Sequence, residues 1–309
     1  MPEGILNLDK PRGRTSHDVV ETVRELTGIR RVGHAGTLDP LATGVLLVCV
    51  GRTATRIAEF LMAAPKIYRT DARLGIETDT FDAEGKVVAR SPVDVSRGEI
   101  EVALNHFRGA IEQVPPMYSA VKQNGEPLYR LARRGVQVAR APRPARIYWL
   151  ELVAWSSPTC TLEMKCSPGT YVRALVHDLG QSLGCGAYVT RLTRLASGSF
   201  RRKDAVALGQ FVRKAEQGRW SDLLLPIDQA LADRFRAIHL SDETARKLCS
   251  GQRIIHRQGA EDGAMVRVYG PGNRFLALAS YEADDGVWRP RKVFVSQYSE
   301  RDPHDDGPG

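Results

Sequence analysis

The chain has 309 residues, 42% of them hydrophobic, and 44 Lys and Arg against 36 Asp and Glu, for a net charge of +8 and a pI near 9.4. That apolar content excludes global disorder, and no apolar run reaches the eighteen residues of a membrane-spanning helix. Nine of the basic residues are lysines and 35 are arginines, whose forked guanidinium pairs bidentately with phosphate, so the charge favours a polyanionic partner.

The first eighteen residues contain no long apolar stretch and no small-residue cleavage site, which predicts a cytoplasmic protein. Five cysteines are widely spaced without a CxxC pair, and seven histidines are scattered without HExxH. The expectation is reduced core thiols and no metal.

In chain order, GILNLDKPRG from residue 4 reads as a short strand ending in a Lys-Pro turn. Thr15 to Asp18 match a helix-start box, and Val19, Val23 and Leu26 follow at helical spacing up to Gly28. Residues 33–51, GHAGTLDPLATGVLLVCVG, carry one formal charge, Asp39, where average composition would supply about five. Gly33, Gly36 and Gly44 permit tight turning or close approach, Pro40 biases Asp39 toward an extended backbone, and 45–50 reads as a strand covered on both faces. A lone carboxylate presented there suits a nucleophile or a general base, and equally an ordinary Asp-Pro turn.

Residues 66–75 alternate, with Tyr68, Thr70, Ala72 and Leu74 on one side. Ser96 and Glu99 form a cap for a helix carrying Ile100, Ala103, Leu104 and Phe107, closed by Gly109. Residues 161–166 alternate again. Thr170 then caps a helix bearing Val172, Leu175, Val176, Leu179 and Leu183, which stops at Gly184. Arg173 lies one position off that apolar face, within reach of an inward carboxylate or simply solvated. Tyr68 and Tyr171 offer aromatic faces for stacking on a base, or serve as core.

Residues 122–146 hold Lys122, Arg130, Arg133, Arg134, Arg140, Arg143 and Arg146 against one acid, a balance of +6, with Tyr129 interleaved. This is either a solvated basic face or a grip on nucleic-acid phosphates. Strands and helices intersperse without a βαβ period, which predicts an α+β (mixed α/β) chain on one large sheet. Near residue 235 the texture changes to short β-like pieces, MVRVY at 265–269 and RFLALASY at 274–281, separated by Gly, Asp, Asn and Pro. The expected plan is a domain over 1–232, a small β-rich domain over 233–300, and a disordered polar tail over 301–309. No helix-turn-helix or dimer signature supports a DNA-binding regulator.

Five segments together resemble the TruB family of bacterial tRNA pseudouridine synthases, which act on the uridine at tRNA position 55. They are GILNLDKPRGRTSHD, GHAGTLDPLATGVLLVCVGRTATR, YRTDARLGIETDTFDAEG, FRGAIEQVPPMYSAVKQNGEPLYRLARRG and CSPGTYVRALVHDLGQSLGCGAYVTRLTRL, covering most of residues 4–200. The resemblance implies a pseudouridine synthase fold with a large, mainly antiparallel sheet and a PUA-like RNA-binding C-terminal domain. It implies that Asp39 is the catalytic aspartate and Arg173 its partner. By the same resemblance His34 wedges into the T-loop, Tyr68 packs on the flipped uracil, Tyr171 and Leu192 line the pocket, and 122–146 is an RNA-gripping insertion. Arg56 stands where many relatives have lysine, keeping the charge, and Pro168 replaces a more usual lysine. The implied reaction is an isomerisation needing no cofactor or metal, on the T-stem-loop of tRNA, by a monomer without an obligate protein partner. The alternatives are a tRNA-folding chaperone and a guide-RNA-dependent synthase, the latter disfavoured by the basic insertion.

Overall fold

The computed structural model describes residues 2–123, 125–257 and 259–295, so the tail at 301–309 lies outside the described residues. The chain divides into two compact units, the first running to Leu224 and the second starting at Leu225.

The first unit opens with β1 (Gly4–Lys10), α1 (Ser16–Thr27), β2 (Val32–His34) and β3 (Thr43–Val50). Helix α1 begins where its sequence box places it: Thr15 accepts from the Asp18 amide and Asp18 accepts from the Thr15 amide. It ends at Gly28, whose φ of 68° an L side chain rarely adopts. Every residue of β3 after Thr43 is buried, as its unbroken apolar run requires. Two short helices, α2 (Arg52–Arg56) and α3 (Ala58–Met62), lead to β4 (Lys66–Leu74), and β5 (Ile76–Thr78) pairs with β6 (Val87–Arg90) in a separate ribbon.

Helix α4 (Arg97–Leu104) starts with the reciprocal Ser96–Glu99 cap. It does not run to Gly109: a 3-10 turn takes over through Phe107, and Gly109 opens strand β7 (Gly109–Gln113). The basic segment contributes the two-residue strands β8 (Lys122–Gln123) and β9 (Glu126–Pro127) and helix α5 (Leu128–Arg133). Then follow β10 (Arg143–Ser156), β11 (Thr159–Cys166), α6 (Val172–Ser182), β12 (Ala187–Ser197), β13 (Phe200–Arg201), β14 (Val206–Ala207) and α7 (Leu208–Glu216).

Thr170 is not the cap of α6. Its hydroxyl donates to Ser167 O at 2.9 Å and so closes the turn before the helix, and Tyr171 takes the cap position without a side-chain bond. The large sheet has the order β14-β1-β3-β12-β4-β11-β10-β7, with β2 on β3 and β13 on β12. Pairings β1–β14 and β3–β12 are parallel and the others antiparallel, which makes the sheet mixed but mainly antiparallel. The parallel β3–β12 contact sets Thr43 beside Thr193 and Gly44 beside Arg194, next to the Asp39 turn.

The second unit is a four-stranded sheet of β15 (Arg236–His239), β16 (Met265–Tyr269), β17 (Phe275–Glu282) and β18 (Val287–Val293) in that order, with α8 (Ile227–Ala230) and α9 (Asp242–Cys249). Its core gathers Ile238, Leu248, Val266, Val268, Leu276 and Trp288. Residues before the textural change at 235 belong with it: the Tyr269 hydroxyl donates to the Asp228 carboxylate at 2.9 Å, and Arg267 donates to Asp228 O at 3.1 Å.

Candidate active site

Asp39 sits in the turn between β2 and β3, with its side chain 36% exposed in a cleft of about 300 Å3. The turn is held from beneath. Gly44 has φ of 102°, and a Cβ there would come within 2.2 Å of Arg194 O, so glycine is what lets β3 and β12 close here. Lys10, fully buried, donates to Pro11 O at 3.0 Å and Pro40 O at 3.4 Å, tying the end of β1 to the residue after Asp39. Burial lowers its pKa to about 8, against the opposing pull of Asp39.

Arg173 is 4% exposed and is the direct partner of Asp39: its Nε donates to Oδ2 at 2.9 Å. The rest of the guanidinium is also committed. Nη1 donates to Thr80 O at 2.9 Å and lies 3.5 Å from the buried Asp82 carboxylate, and Nη2 donates to Tyr118 O at 2.8 Å. One fork therefore joins three chain segments and fixes one oxygen of Asp39, while no described residue donates to the other.

Tyr68, Tyr171 and Leu192 line the same cleft. Burial pushes the hydroxyl of Tyr68 up, with the Arg194 guanidinium offsetting part of the rise, and burial likewise raises Tyr171. Both rings are therefore neutral aromatic surfaces near neutral pH. Tyr171 is held through its backbone: buried Gln113 accepts from its amide at 3.0 Å and donates to its carbonyl at 3.2 Å.

His34 is not among the residues lining the cleft. It ends β2 opposite Val48, and burial, more than Arg194 and His17, lowers its pKa, which keeps the imidazole neutral. Arg56 is exposed at the end of α2. In the basic segment Lys122, Arg130, Arg133, Arg134, Arg143 and Arg146 are exposed, whereas Arg140 is half-buried and donates to Pro115 O at 3.0 Å. Arg134 pairs with Glu126 at 2.7 Å, and the Arg133 guanidinium lies over the Tyr129 ring at 5.6 Å.

Sequence reasoning missed Arg194. It is 1% exposed, and its donors go to main-chain carbonyls: Nε to Val45 at 2.6 Å, Nη2 to Gly36 at 3.0 Å and Nη1 to Thr37 at 3.3 Å. Lys10, Gln113 and Asp82 were missed as well. For Arg194 and Lys10 a signal existed: each shares the parity of buried neighbours on its strand, Leu192 and Ala196 for one and Leu6 and Leu8 for the other. Among the described residues no group of three His, Cys, Asp or Glu could hold a metal ion, and no helix is long and apolar enough to cross a membrane.

Family models describe three consecutive parts of the chain. TruB family pseudouridylate synthase, N terminal domain, matches residues 24–172; tRNA pseudouridylate synthase B C-terminal domain matches 173–232; and Pseudouridine synthase II TruB, C-terminal, matches 237–294. A tRNA pseudouridine synthase B of Dehalococcoides mccartyi is 43% identical over 296 residues, 96% of this chain and 97% of its own. That of Syntrophotalea carbinolica is 46% identical over 284 residues, 90% and 92% of the two chains. A chain of a Cbf5-Nop10-Gar1 complex superposes with a TM-score of 0.74 at 25% identity, covering 94% of this chain and 85% of that one.

Proposed function

From the premise that this chain belongs to the TruB family and isomerises uridine to pseudouridine in tRNA, we propose that it acts on the T-loop uridine at position 55, with Asp39 as the catalytic group. The observation that carries the assignment is the Asp39–Arg173 pair at the floor of a cleft that also holds Tyr68, Tyr171 and Leu192.

A uridine inside a folded loop hides its glycosidic bond, so the base must swing out at a cost of about a few kcal/mol. Phosphate contacts from Arg56 and from exposed Lys122, Arg130, Arg133, Arg134, Arg143 and Arg146, with His34 filling the vacated space, offset that cost, while Arg140 holds the segment through Pro115 O. The extruded base enters against Tyr68, with Leu192 and Tyr171 as walls. The C1′–N1 bond breaks, the uracil turns, C5 bonds to C1′, and the C5 proton is lost as N1 gains one. Asp39 serves either by attacking C1′ or by removing the 2′ proton. In both cases Arg173 holds Oδ2, leaving Oδ1 toward the substrate.

The protein acts without guide RNA, for which the supporting fact is 42–46% identity to proteins named for tRNA, against 25% to a chain of the Cbf5 complex; the reading from the sequence adds a monomer in the cytoplasm. The second unit serves as a PUA-like RNA-binding module. The test is incubation of the purified protein with an unmodified tRNA transcript, followed by mapping of pseudouridine. Asp39→Asn preserves the volume and the bond from Arg173 and is expected to lose at least about a thousandfold in rate while binding tRNA normally. Retention of activity within tenfold by this variant contradicts the assignment.

A further inference from the structure

Beyond the cleft, we propose that Tyr148, flanked by Arg146 and Lys165, is a stacking platform for an unpaired base of the same tRNA. Lys165 pairs with Ile67 whereas cleft-lining Tyr68 pairs with Met164, so the cation beside this ring is on the sheet face opposite Tyr68, and the RNA strand would reach it by turning over the end of β11 at Ser167. The inference rests on the reading that tRNA occupies the Asp39 cleft.

Tyr148 lies in the middle of a long strand, and three features set it apart. First, the β10–β11 register slips there: Ile147 faces Cys166 and Trp149 faces Lys165, so Tyr148 is the extra residue of a bulge. A bulge re-aims the side chain it carries and is over-represented beside active sites. Second, Tyr148 is 48% exposed, between buried Ile147 and half-buried Trp149. Third, two cations lie over it, the Arg146 guanidinium at 5.9 Å and the Lys165 ammonium at 5.6 Å from the ring centre.

The platform is joined to the cleft by the backbone. Ser167 lines the cleft, its amide donates to Arg146 O at 2.8 Å, and its hydroxyl accepts from the Arg146 amide at 2.9 Å. Next along the same surface, exposed Arg69 pairs with Glu163 at 3.5 Å, so the local acid is already engaged. An exposed aromatic ring accompanied by two cations is the kind of arrangement that holds single-stranded nucleic acid with little sequence preference.

The test is equilibrium binding of a labelled unmodified tRNA transcript over a range of salt, with pseudouridine formation measured in parallel. Tyr148→Ala is expected to weaken binding about tenfold, as loss of one base stack does, and Tyr148→Trp to stay within about twofold of wild type. Lys165→Gln is expected to reduce the slope of log K against log salt by about one. The loss falls on KM rather than on the rate at saturating tRNA. Binding within twofold of wild type for Tyr148→Ala, together with an unchanged salt slope for Lys165→Gln, overturns the platform. A wild-type protein that forms no pseudouridine at position 55 overturns the cleft reading instead, whatever these affinities are.

Discussion

Arg173 Nε stands 2.9 Å from Asp39 Oδ2 across 134 positions of sequence, and the same guanidinium grips the main chain at Thr80 and Tyr118. It acts as a keystone for the Asp39 turn, the segment after β5 and the approach to the basic insertion. Lysine keeps the charge but presents its donors from a single nitrogen and cannot span the three acceptors. Arg173→Lys is expected to lower the single-turnover rate about a hundredfold, with tRNA affinity near that of wild type. Arg173→Ala additionally strands buried Asp82 and is expected to cost about 3–5 kcal/mol of stability in a denaturant titration. A fully active Arg173→Lys protein would remove the fork from the mechanism.

Arg194 plays a structural counterpart beneath the same turn. Its buried charge has three carbonyl acceptors, on Gly36, Thr37 and Val45, which bracket the Asp39 segment. Arg194→Met leaves those carbonyls without donors, each worth about 1–3 kcal/mol when buried and unsatisfied. The expected outcome is a melting temperature lowered by many degrees. Arg194→Lys, which keeps part of the bonding, is expected to fold and to lose rate more than affinity. Equal losses in both quantities would mean that Arg194 supports the fold alone.

The contrast between these two arginines indicates how much was legible in the sequence. Periodicity exposes what a strand or helix does by itself. The closed apolar run of β3, the reciprocal cap of α1 and the alternation of β4 follow from spacing. Arg194 stood on an apolar parity and was readable in principle. The partners of Arg173 at Thr80 and Tyr118 were not, because main-chain carbonyls in loops carry no residue-type signature. The Thr170 cap failed for a related reason: a hydroxyl near a helix start has competing acceptors, and Ser167 O won. The bearing of Asp39 on function came from the resemblance of whole segments, since an isolated Asp-Pro turn admits both readings.

In the basic segment, Arg130, Arg133 and Arg134 are exposed around α5, and only Arg134 has an acidic partner among the described contacts, at Glu126. If they hold phosphates, an Arg130→Ala, Arg133→Ala, Arg134→Ala protein should bind tRNA more weakly and lose about two to three from its salt slope, with the rate at saturating tRNA largely kept. An unchanged slope would identify the segment as a solvated face.

Alkaline stability follows from the buried thiols. Burial pushes Cys49 and Cys160 up to about 12 and Cys166 to about 11, from an ordinary value of 9.0. In the unfolded chain these thiols ionise first, so above pH 9 the unfolded state sheds protons that the folded state retains, and stability falls as pH rises. By pH 10 each thiol contributes a loss of about 1.4 kcal/mol. Lys10 works in the opposite sense. Its pKa is lowered to about 8 from 10.5, so between those values the unfolded chain binds the extra proton and stability rises with pH. Three thiols outweigh one lysine, and the wild-type unfolding free energy should decline between pH 8 and pH 10. In a protein carrying Cys49→Ala, Cys160→Ala and Cys166→Ala the lysine faces only Cys185, Cys249, Tyr68, Tyr171 and Tyr269, which burial also raises, so the decline over the same interval should be distinctly shallower. Denaturant titrations at the two pH values read the slopes directly, and they are insensitive to the packing cost of the substitutions because that cost is common to both. Parallel slopes in the two proteins would mean that the thiols do not govern the alkaline limb.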